Sequence, residues 1–240
     1  MPVSLKDKVA LVVGASSGIG RACAVMLAKE GARVMASARR EQRLLELQKE
    51  LAGSTVEICA ADARHAPEMQ RLADETKRRL GTVNILIYST GTNTPDRAMR
   101  RLRPEIWDEL VETNLNGAYY ITHALLPAMR EARDGHLIYI SSISGHTPDI
   151  SGAAYQASKR GLIGLAHAIR VEERENQIRT TVVNPGLVDT EILARRPVKT
   201  ADEIVAQALA PEHVAEIVLS CAKLPPKAVV TELSVVPTTL

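Results

Sequence analysis

Seven apolar runs rich in Val, Ile and Ala recur along the chain with helical patterns between them, and this alternation restricts the fold more than any other feature. The predicted strands are Val9–Val13, Arg33–Ala38, Thr55–Ala60, Ile85–Ser89, Gly135–Ser141, Arg179–Asn184 and Val229–Ser234. The predicted helices are Gly18–Glu30, Arg40–Ala52, Pro67–Leu80, Pro104–Arg133, Ala153–Asn176 and Pro211–Leu224. Gly31, Gly53 and Gly81 stand where helix C-termini belong. Strands dense in β-branched residues and flanked by Ala/Leu helices suit a parallel sheet covered on both faces. The crossovers between such strands are right-handed. The expectation is therefore an α/β fold, a doubly wound parallel sheet (Rossmann fold) of about seven strands in three α/β/α layers.

No repeat, low-complexity tract or linker breaks the alternation, so residues 1–240 read as a single domain for both dinucleotide binding and catalysis. One stretch departs from the rhythm. Between Asn184-Pro-Gly186 and Pro211 lie short helical patterns with Pro197 in their midst. The stretch follows the carboxyl end of a strand, where ligands of open α/β sheets bind. Residues 187–210 read either as a lid over that site or as an ordinary surface connection. Pro104–Arg133 is long for one helix, and Pro127, which has no N–H, is expected to bend or divide it.

At 45% hydrophobic content the chain can bury a full core, and with Phe absent and Trp107 the only Trp that core is built from Val, Ile, Leu and Ala. The formal charge of +2 is mixed in sign and leaves no basic stripe, and aromatics at 2% offer no stacking platform; both argue against a nucleic-acid partner. No apolar run approaches the ~20 residues of a membrane span, and MPVSLKDK lacks the apolar region of a signal peptide. Cys23, Cys59 and Cys221 are odd in number, far apart and without metal-ligand spacing, so buried thiols and no metal are expected. A reduced, cytoplasmic enzyme with no membrane partner fits this composition.

Gly14-x-x-x-Gly18-x-Gly20 joins the first strand to the first helix. Gly14 permits a sharp turn, and Gly18 and Gly20 permit close approach of a pyrophosphate and of the helix. The helix N-terminus then offers free N–H groups and the positive end of its dipole to phosphates. Ser16 and Ser17 add hydroxyl donors beside Ile19. The spacing differs from G-x-G-x-x-G, so that fingerprint does not apply as written. The second strand ends in Ser37-Ala38-Arg39-Arg40, with no acid before Glu41. A carboxylate there would accept ribose hydroxyls and repel a 2′-phosphate, whereas paired guanidiniums clamp one. NADP(H) is the expected cofactor; the other reading of Arg39 and Arg40 is the start of a solvated helix. Asp62, followed by Ala63, is placed to accept from an adenine amino group or, alternatively, to cap a turn.

Tyr155 and Lys159 lie four apart in a helical pattern and so share a face. A phenol titrates near ~10, and a fixed ammonium beside it favours the phenolate. That moves proton exchange towards neutral pH. Ser142 ends another apolar run thirteen residues earlier.

On Gly14-Ala-Ser-Ser-Gly-Ile-Gly20, Asp62, Asn114 in Thr-Asn-Leu-Asn-Gly117, Ser142, Tyr155, Lys159, and Pro185-Gly186 followed by Thr190, the chain resembles the short-chain dehydrogenase/reductase family in its compact single-domain form. The resemblance runs from about Lys8 to the C-terminus. It implies a catalytic tetrad of Asn114, Ser142, Tyr155 and Lys159. Tyr155 would donate a proton to the substrate oxygen during reduction. Lys159 would hydrogen-bond the nicotinamide ribose and, with the oxidised ring, depress the Tyr155 pKa. Ser142 would hold the carbonyl oxygen, and Asn114 would anchor a water linking Lys159 to solvent. Gly91 would let the backbone pass the adenosine ribose, while Thr190 and the backbone around Val188 would hold the carboxamide. A homotetramer or homodimer through the helices bearing Asn114 and Tyr155 is also implied. One departure is plain: Tyr88-Ser89-Thr90-Gly91 replaces the usual Asn-Asn-Ala-Gly, whose amides tie neighbouring strands together.

The function expected is an NADP(H)-dependent oxidoreductase that moves a hydride between nicotinamide and a ketone or secondary alcohol, a 3-oxoacyl thioester or another small carbonyl among them. The rival is a non-catalytic NADP-binding sensor or scaffold, against which the complete tetrad counts. Thr92, Asn93, Ser144, His146 and Thr147 are expected near the substrate, with His146 either touching it or facing solvent. Arg100-Arg101-x-Arg103 and Arg195-Arg196 flank the mouth, either attracting an anionic substrate or carrier or simply forming solvated faces.

Overall fold

The computed structural model describes residues 2–239. Its strands are β1 (Val9–Val13), β2 (Arg33–Ala38), β3 (Val56–Ala60), β4 (Ile85–Tyr88), β5 (Gly135–Ile140), β6 (Ile178–Pro185) and β7 (Glu232–Val235). They form one sheet in the order β3-β2-β1-β4-β5-β6-β7, with every neighbouring pair parallel. Chain order reverses between β1 and β4, and at such a switch point the loops leaving the two strands diverge and open a crevice.

The helices are α1 (Gly18–Lys29), α2 (Glu41–Glu50), α3 (Ala66–Leu80), α4 (Pro104–Val111), α5 (Gly117–Ala132), α6 (Ala153–Glu172), α7 (Asp202–Val205) and α8 (Pro211–Ala222). Successive strand residues serve opposite faces, as the period of two requires. Ala10 and Val12 join Leu27 of α1, Leu44 of α2 and Val218 of α8 in one core. Val9, Leu11 and Val13 join Leu72 of α3, Leu125 of α5 and Leu162 of α6 in the other. Both faces are covered, which gives the expected three layers. Cys23, Cys59 and Cys221 are buried free thiols, and burial pushes the Cys23 thiol up to about 12.

One expectation is corrected and one departure explained. Pro127 does not break the long helical segment, but lies inside α5. The interruption is a π-helical turn at Glu112–Asn116, between α4 and α5. A π-turn inserts an extra residue into the helical ladder and shifts carbonyls out of register, and such turns concentrate at functional sites. The departure concerns Tyr88, the last residue of β4 and the first of the altered motif. Far from leaving a gap where an amide is usual, its fully buried ring carries a hydroxyl that donates to the Thr113 carbonyl of the π-turn at 2.6 Å. Gly117 makes room for it, since a Cβ there would collide with the Tyr88 hydroxyl and stand 2.7 Å from the Ala63 carbonyl. Strand β4 is thus tied to the π-turn by a phenol.

His136 on β5 is 1% exposed and bonded through Nε2 to Thr181 Oγ1 at 2.8 Å. Burial holds its imidazole down at about 3, with the nearby Arg179 charge acting the same way. Its unfolded counterpart titrates near ~6.5, so below that pH the unfolded chain binds a proton that the folded chain refuses. This stability is complete above the unfolded value and drains away as pH falls towards the folded one. Between pH 6 and 4, wild type should lose stability more steeply than His136→Gln, by up to ~1.4 kcal/mol per pH unit, in urea unfolding curves taken across the range. Parallel slopes would show that His136 does not titrate with unfolding.

Candidate active site

The carboxyl ends of β1, β2, β4, β5 and β6 open into a cavity of about 560 Å³. Of the residues expected to form the tetrad or to bind the cofactor, only Gly20 and Asn114 do not line it. Gly14 takes φ +97, and a Cβ on it would press to 2.8 Å from the Ser89 and Thr90 backbone, so glycine alone fits this turn. A Cβ on Gly20 would collide with the Gly14 carbonyl, so this glycine serves the contact of α1 with the turn behind the cavity wall. The Ser17 side chain makes no capping bond to α1. The first N–H groups of the helix are thus left without a side-chain cap at a part of the cavity wall formed by Gly14 and Ser16–Ile19, as an anion site requires.

Arginines crowd this end. Arg40 donates to Ser16 Oγ through Nη2 at 2.9 Å and Nε at 3.2 Å, and to Ser17 Oγ at 2.7 Å. Its Nη1 donates to the Glu191 carboxylate at 2.7 Å, and Arg43 donates to the other Glu191 oxygen. Arg43 and Arg40 together hold the Glu191 carboxyl at about 2. Glu191 and Arg43 escaped the sequence reading, because nothing local links positions 148 residues apart. Arg39 is more exposed and lies 4.0 Å from Asp62. Asp62 itself is gripped by Arg64, from Nη2 at 2.7 Å, from Nε at 3.1 Å and from the backbone N–H at 3.0 Å. Burial raises the Asp62 carboxyl, but Arg64 and Arg39 outweigh it and leave the group below its ordinary value.

Further in, α6 carries Tyr155 and Lys159 to the cavity wall. Lys159 is 4% exposed, donates to the Ile140 carbonyl at 2.9 Å and lies 5.8 Å from the centroid of the Tyr155 ring. Burial lowers its ammonium to about 8. Gly91 leaves room for it: a Cβ there would stand 3.3 Å from Nζ. Burial raises the Tyr155 phenol above its ordinary value, against pulls from the Ser142 hydroxyl and the Arg97 charge. Lys159, which was expected to depress it together with an oxidised nicotinamide ring, is not among the groups that lower it here, its ammonium being directed to the β5 carbonyl.

Ser142 Oγ accepts from the Ser144 N–H at 3.2 Å, which caps the short 3₁₀ turn at Ile143–Gly145. Asn114 is wholly buried behind the wall. Its Oδ1 accepts from Thr92 N–H at 2.8 Å, and its Nδ2 donates to Thr92 O at 3.1 Å and to Ser158 Oγ at 3.0 Å. The side-chain amide is thus occupied by protein on both sides, as a brace between the loop after β4 and α6.

Around the inner end, Thr92, Asn93 and Ser144 line the cavity as expected, whereas His146 and Thr147 do not. His146 turns outward to pair with Glu232. Arg195 and Arg196 reach the cavity, and Arg100, Arg101 and Arg103 do not. Pro185, Gly186, Val188 and Thr190 form the wall after β6, where a Cβ on Gly18 would meet Thr190 Cγ2 at 3.0 Å. Segment 187–210 is pinned at its ends, with Asp189 N–H donating to Leu209 O at 2.9 Å and Leu209 N–H to Leu187 O at 3.0 Å. Arg97, Asp149 and Ser151 also line the cavity and were not anticipated, since no motif contains them.

A glycine turn before a free helix end, with a serine, a tyrosine and a buried lysine in one cavity, can bind a dinucleotide and exchange a proton with a second ligand. Known proteins agree with this reading. The family model described as short chain dehydrogenase matches residues 8–200. An uncharacterized oxidoreductase of Staphylococcus saprophyticus is 33% identical over 98% of this chain and 99% of its own. A metagenomic short-chain oxidoreductase solved with NADP is 33% identical, with a TM-score of 0.85 over 98% of this chain and 99% of that one. A variant of actinorhodin polyketide ketoreductase solved with NADPH is 32% identical, with a TM-score of 0.89 over 99% and 98%. The chain belongs to the short-chain dehydrogenase family and is an oxidoreductase of that family.

Proposed function

We propose that this oxidoreductase uses NADP(H) to interconvert a ketone and a secondary alcohol, a 3-oxoacyl thioester or another small carbonyl being the substrate form. The observation that carries the reading is Tyr155 beside buried Lys159 and Ser142, in the same cavity as a glycine turn that no side chain could fill. The chain's donors suit the cofactor. Free N–H groups at the start of α1 suit a pyrophosphate, and Arg40 with Ser16 and Ser17 suits a 2′-phosphate. Asp62 would face the adenine, with Ala63 and Gly91 beside it. Pro185, Gly186, Val188 and Thr190 would hold the nicotinamide end. When bound, the reduced nicotinamide supplies the hydride.

The remaining work falls to the protein. Tyr155 would donate its proton to the substrate oxygen, a role that its raised pKa suits in the reductive direction. Ser142 would hold that oxygen through a hydrogen bond that strengthens as negative charge gathers there. Lys159 would orient the ribose and return positive charge to the phenol once the site is filled. Asn114 would act as a brace, and any water relay to Lys159 would have to run past its main-chain carbonyl, because the amide is already bonded. Segment 187–210 would close over both ligands as a lid.

Four experiments test this reading. Tyr155→Phe should lower kcat by ~10²-fold or more while NADPH affinity, followed by nicotinamide fluorescence, changes little; unaltered turnover would remove Tyr155 as the acid. Arg40→Gln should weaken NADPH about tenfold, a loss of ~1.4 kcal/mol, and leave NADH nearly unaffected. Because Glu191 competes for the same guanidinium, Glu191→Gln should tighten NADPH selectively, and equal effects on both nucleotides would separate Arg40 from phosphate recognition. Assembly as a homodimer or homotetramer would use the face where Trp107, Tyr119 and Val171 are exposed on α4, α5 and α6. Light scattering at micromolar concentration should report two or four chains; a monomer would contradict it.

A further inference from the structure

Arg97 is an arginine that the fold has no structural reason to charge. It is 9% exposed and lines the inner end of the cavity that holds Ser142, Ser144 and Tyr155. A guanidinium removed from water loses several kcal/mol of hydration and is normally paired with a carboxylate in compensation. Among the described residues Arg97 makes no ion pair. Its Nε donates to Thr94 O at 2.9 Å and its Nη2 to Arg195 O at 2.8 Å. These carbonyls fix the plane of the fork and leave Nη1 without a partner among the described residues. The nearest acid in the cavity, Asp149, is already engaged: Oδ2 accepts from Ser144 Oγ at 2.6 Å and Ser151 Oγ at 3.1 Å, and Oδ1 accepts from Ser151 N–H at 2.8 Å.

A second arginine aggravates the imbalance. Arg196 lines the same cavity and is held by Thr200 Oγ1 at 3.1 Å, again with no ion pair among the described residues. Burial lowers the pKa of Arg97, and repulsion from Arg196 lowers it further. The position is built rather than incidental. Gly152, at φ +91, sits against Arg97, since a Cβ on the glycine would stand 2.6 Å from Arg97 Cβ and 2.7 Å from its carbonyl oxygen. Gly152 immediately precedes α6, so the backbone that fixes Arg97 also fixes the helix start from which Tyr155 projects.

Building on the proposed carbonyl chemistry, we infer that Arg97 is the substrate-anion anchor of this site, and that the substrate is an oxo acid or its hydroxy-acid counterpart, its carboxylate bound by Arg97 with support from Arg196. A planar fork with a free edge suits a carboxylate better than a neutral group of the same shape. The carboxylate supplies the counter-charge that the protein omits, and it sets the carbonyl beside Tyr155 and Ser142. An ester or a plain ketone would leave the guanidinium unpaired.

The test uses two substrates with one skeleton, acetoacetate and its methyl ester, reduced by the purified protein with NADPH. Wild type should favour acetoacetate in kcat/KM. Arg97→Met should lower the acetoacetate-to-ester ratio by ~30-fold or more, as expected when a charge-assisted fork is removed. Arg97→Lys, which keeps the charge and loses the fork, should fall between, and Arg100→Met, outside the cavity, should not alter the ratio. A wild-type preference for the ester, or equal losses on both substrates in Arg97→Met, would make Arg97 a strut between two loops and overturn the assignment. Butanoate binding by titration calorimetry, with and without NADP(H), needs no turnover. Binding to wild type that disappears in Arg97→Met upholds the anchor even if neither carbonyl compound is reduced, a result that would count against the proposed reaction alone. No butanoate binding to wild type overturns the anchor.

Discussion

A lysine ammonium buried against the end of a strand is the interaction on which the inner half of this site depends. Lys159 has given up nearly all its solvent for one strand carbonyl and the neighbourhood of a phenol ring. Such a charge is tolerable only where its surroundings are rigid and its neighbours leave it space. Glycines supply that space. Gly91 passes beside Nζ, and Gly145 lets its turn lie against the Lys159 backbone, where a Cβ would stand 3.3 Å from the carbonyl oxygen and 2.8 Å from Ile163 Cδ1. Ser141 donates to the Lys159 carbonyl at 2.9 Å, so β5 holds both the side chain and the main chain of this residue. Asn114 then fixes the other flank through Ser158, whose hydroxyl donates to the Tyr155 carbonyl at 2.8 Å. The phenol's position is the product of this scaffold.

The elements that sequence could resolve were those decided by local period. Strands β1 and β2 match their predicted ranges, and the helices after them end within a few residues of expectation, because apolar runs and the glycines that follow are local signals. The π-turn was invisible for the opposite reason. Pro127 is the conspicuous breaker in that segment, yet a helix tolerates it because α5 simply omits one bond there, whereas the ladder shifts at Glu112–Asn116 with no proline or glycine inside the turn. The turn's partner is Tyr88, on a different element, whose hydroxyl reaches the Thr113 carbonyl across the core. Long-range contacts of this kind leave no trace in the spacing of one segment.

The site divides along the same line. The glycine turn, Ser142, Tyr155 and Lys159 were legible because each is a residue type whose chemistry is specific and whose place on its element follows from the pattern. Arg97 and Glu191 were not, because an arginine or a glutamate in a loop looks alike whether it is solvated or committed. Only the fold distinguishes them. Arg97 is enclosed while Arg100 and Arg101, three and four residues on, lie at the surface. Likewise His146 was placed near the substrate by its nearness to Ser142 in sequence, and the 3₁₀ turn between them rotates it outward to Glu232.

Segment 187–210 joins the two ends of the cavity through its own residues. At the outer end Glu191 lies between Arg40 and Arg43, and Thr190 packs on Gly18. At the inner end the Arg195 carbonyl accepts from Arg97. One short 3₁₀ turn, Glu191–Arg195, spans both contacts, and the paired strand-like ends at Val188 and Leu209 confine any rearrangement to what lies between them. The two ends differ in kind. The outer contact is a carboxylate on exposed guanidiniums, which a phosphate of like charge would displace at little cost in such a screened setting. The inner contact is a neutral carbonyl on an enclosed guanidinium, which an anion adds to rather than displaces. On the proposed reading, a phosphate at Arg40 would free Glu191, while a carboxylate at Arg97 would leave the Arg195 contact in place. On that reading the 3₁₀ turn would stay held at the inner end and be released at the outer end.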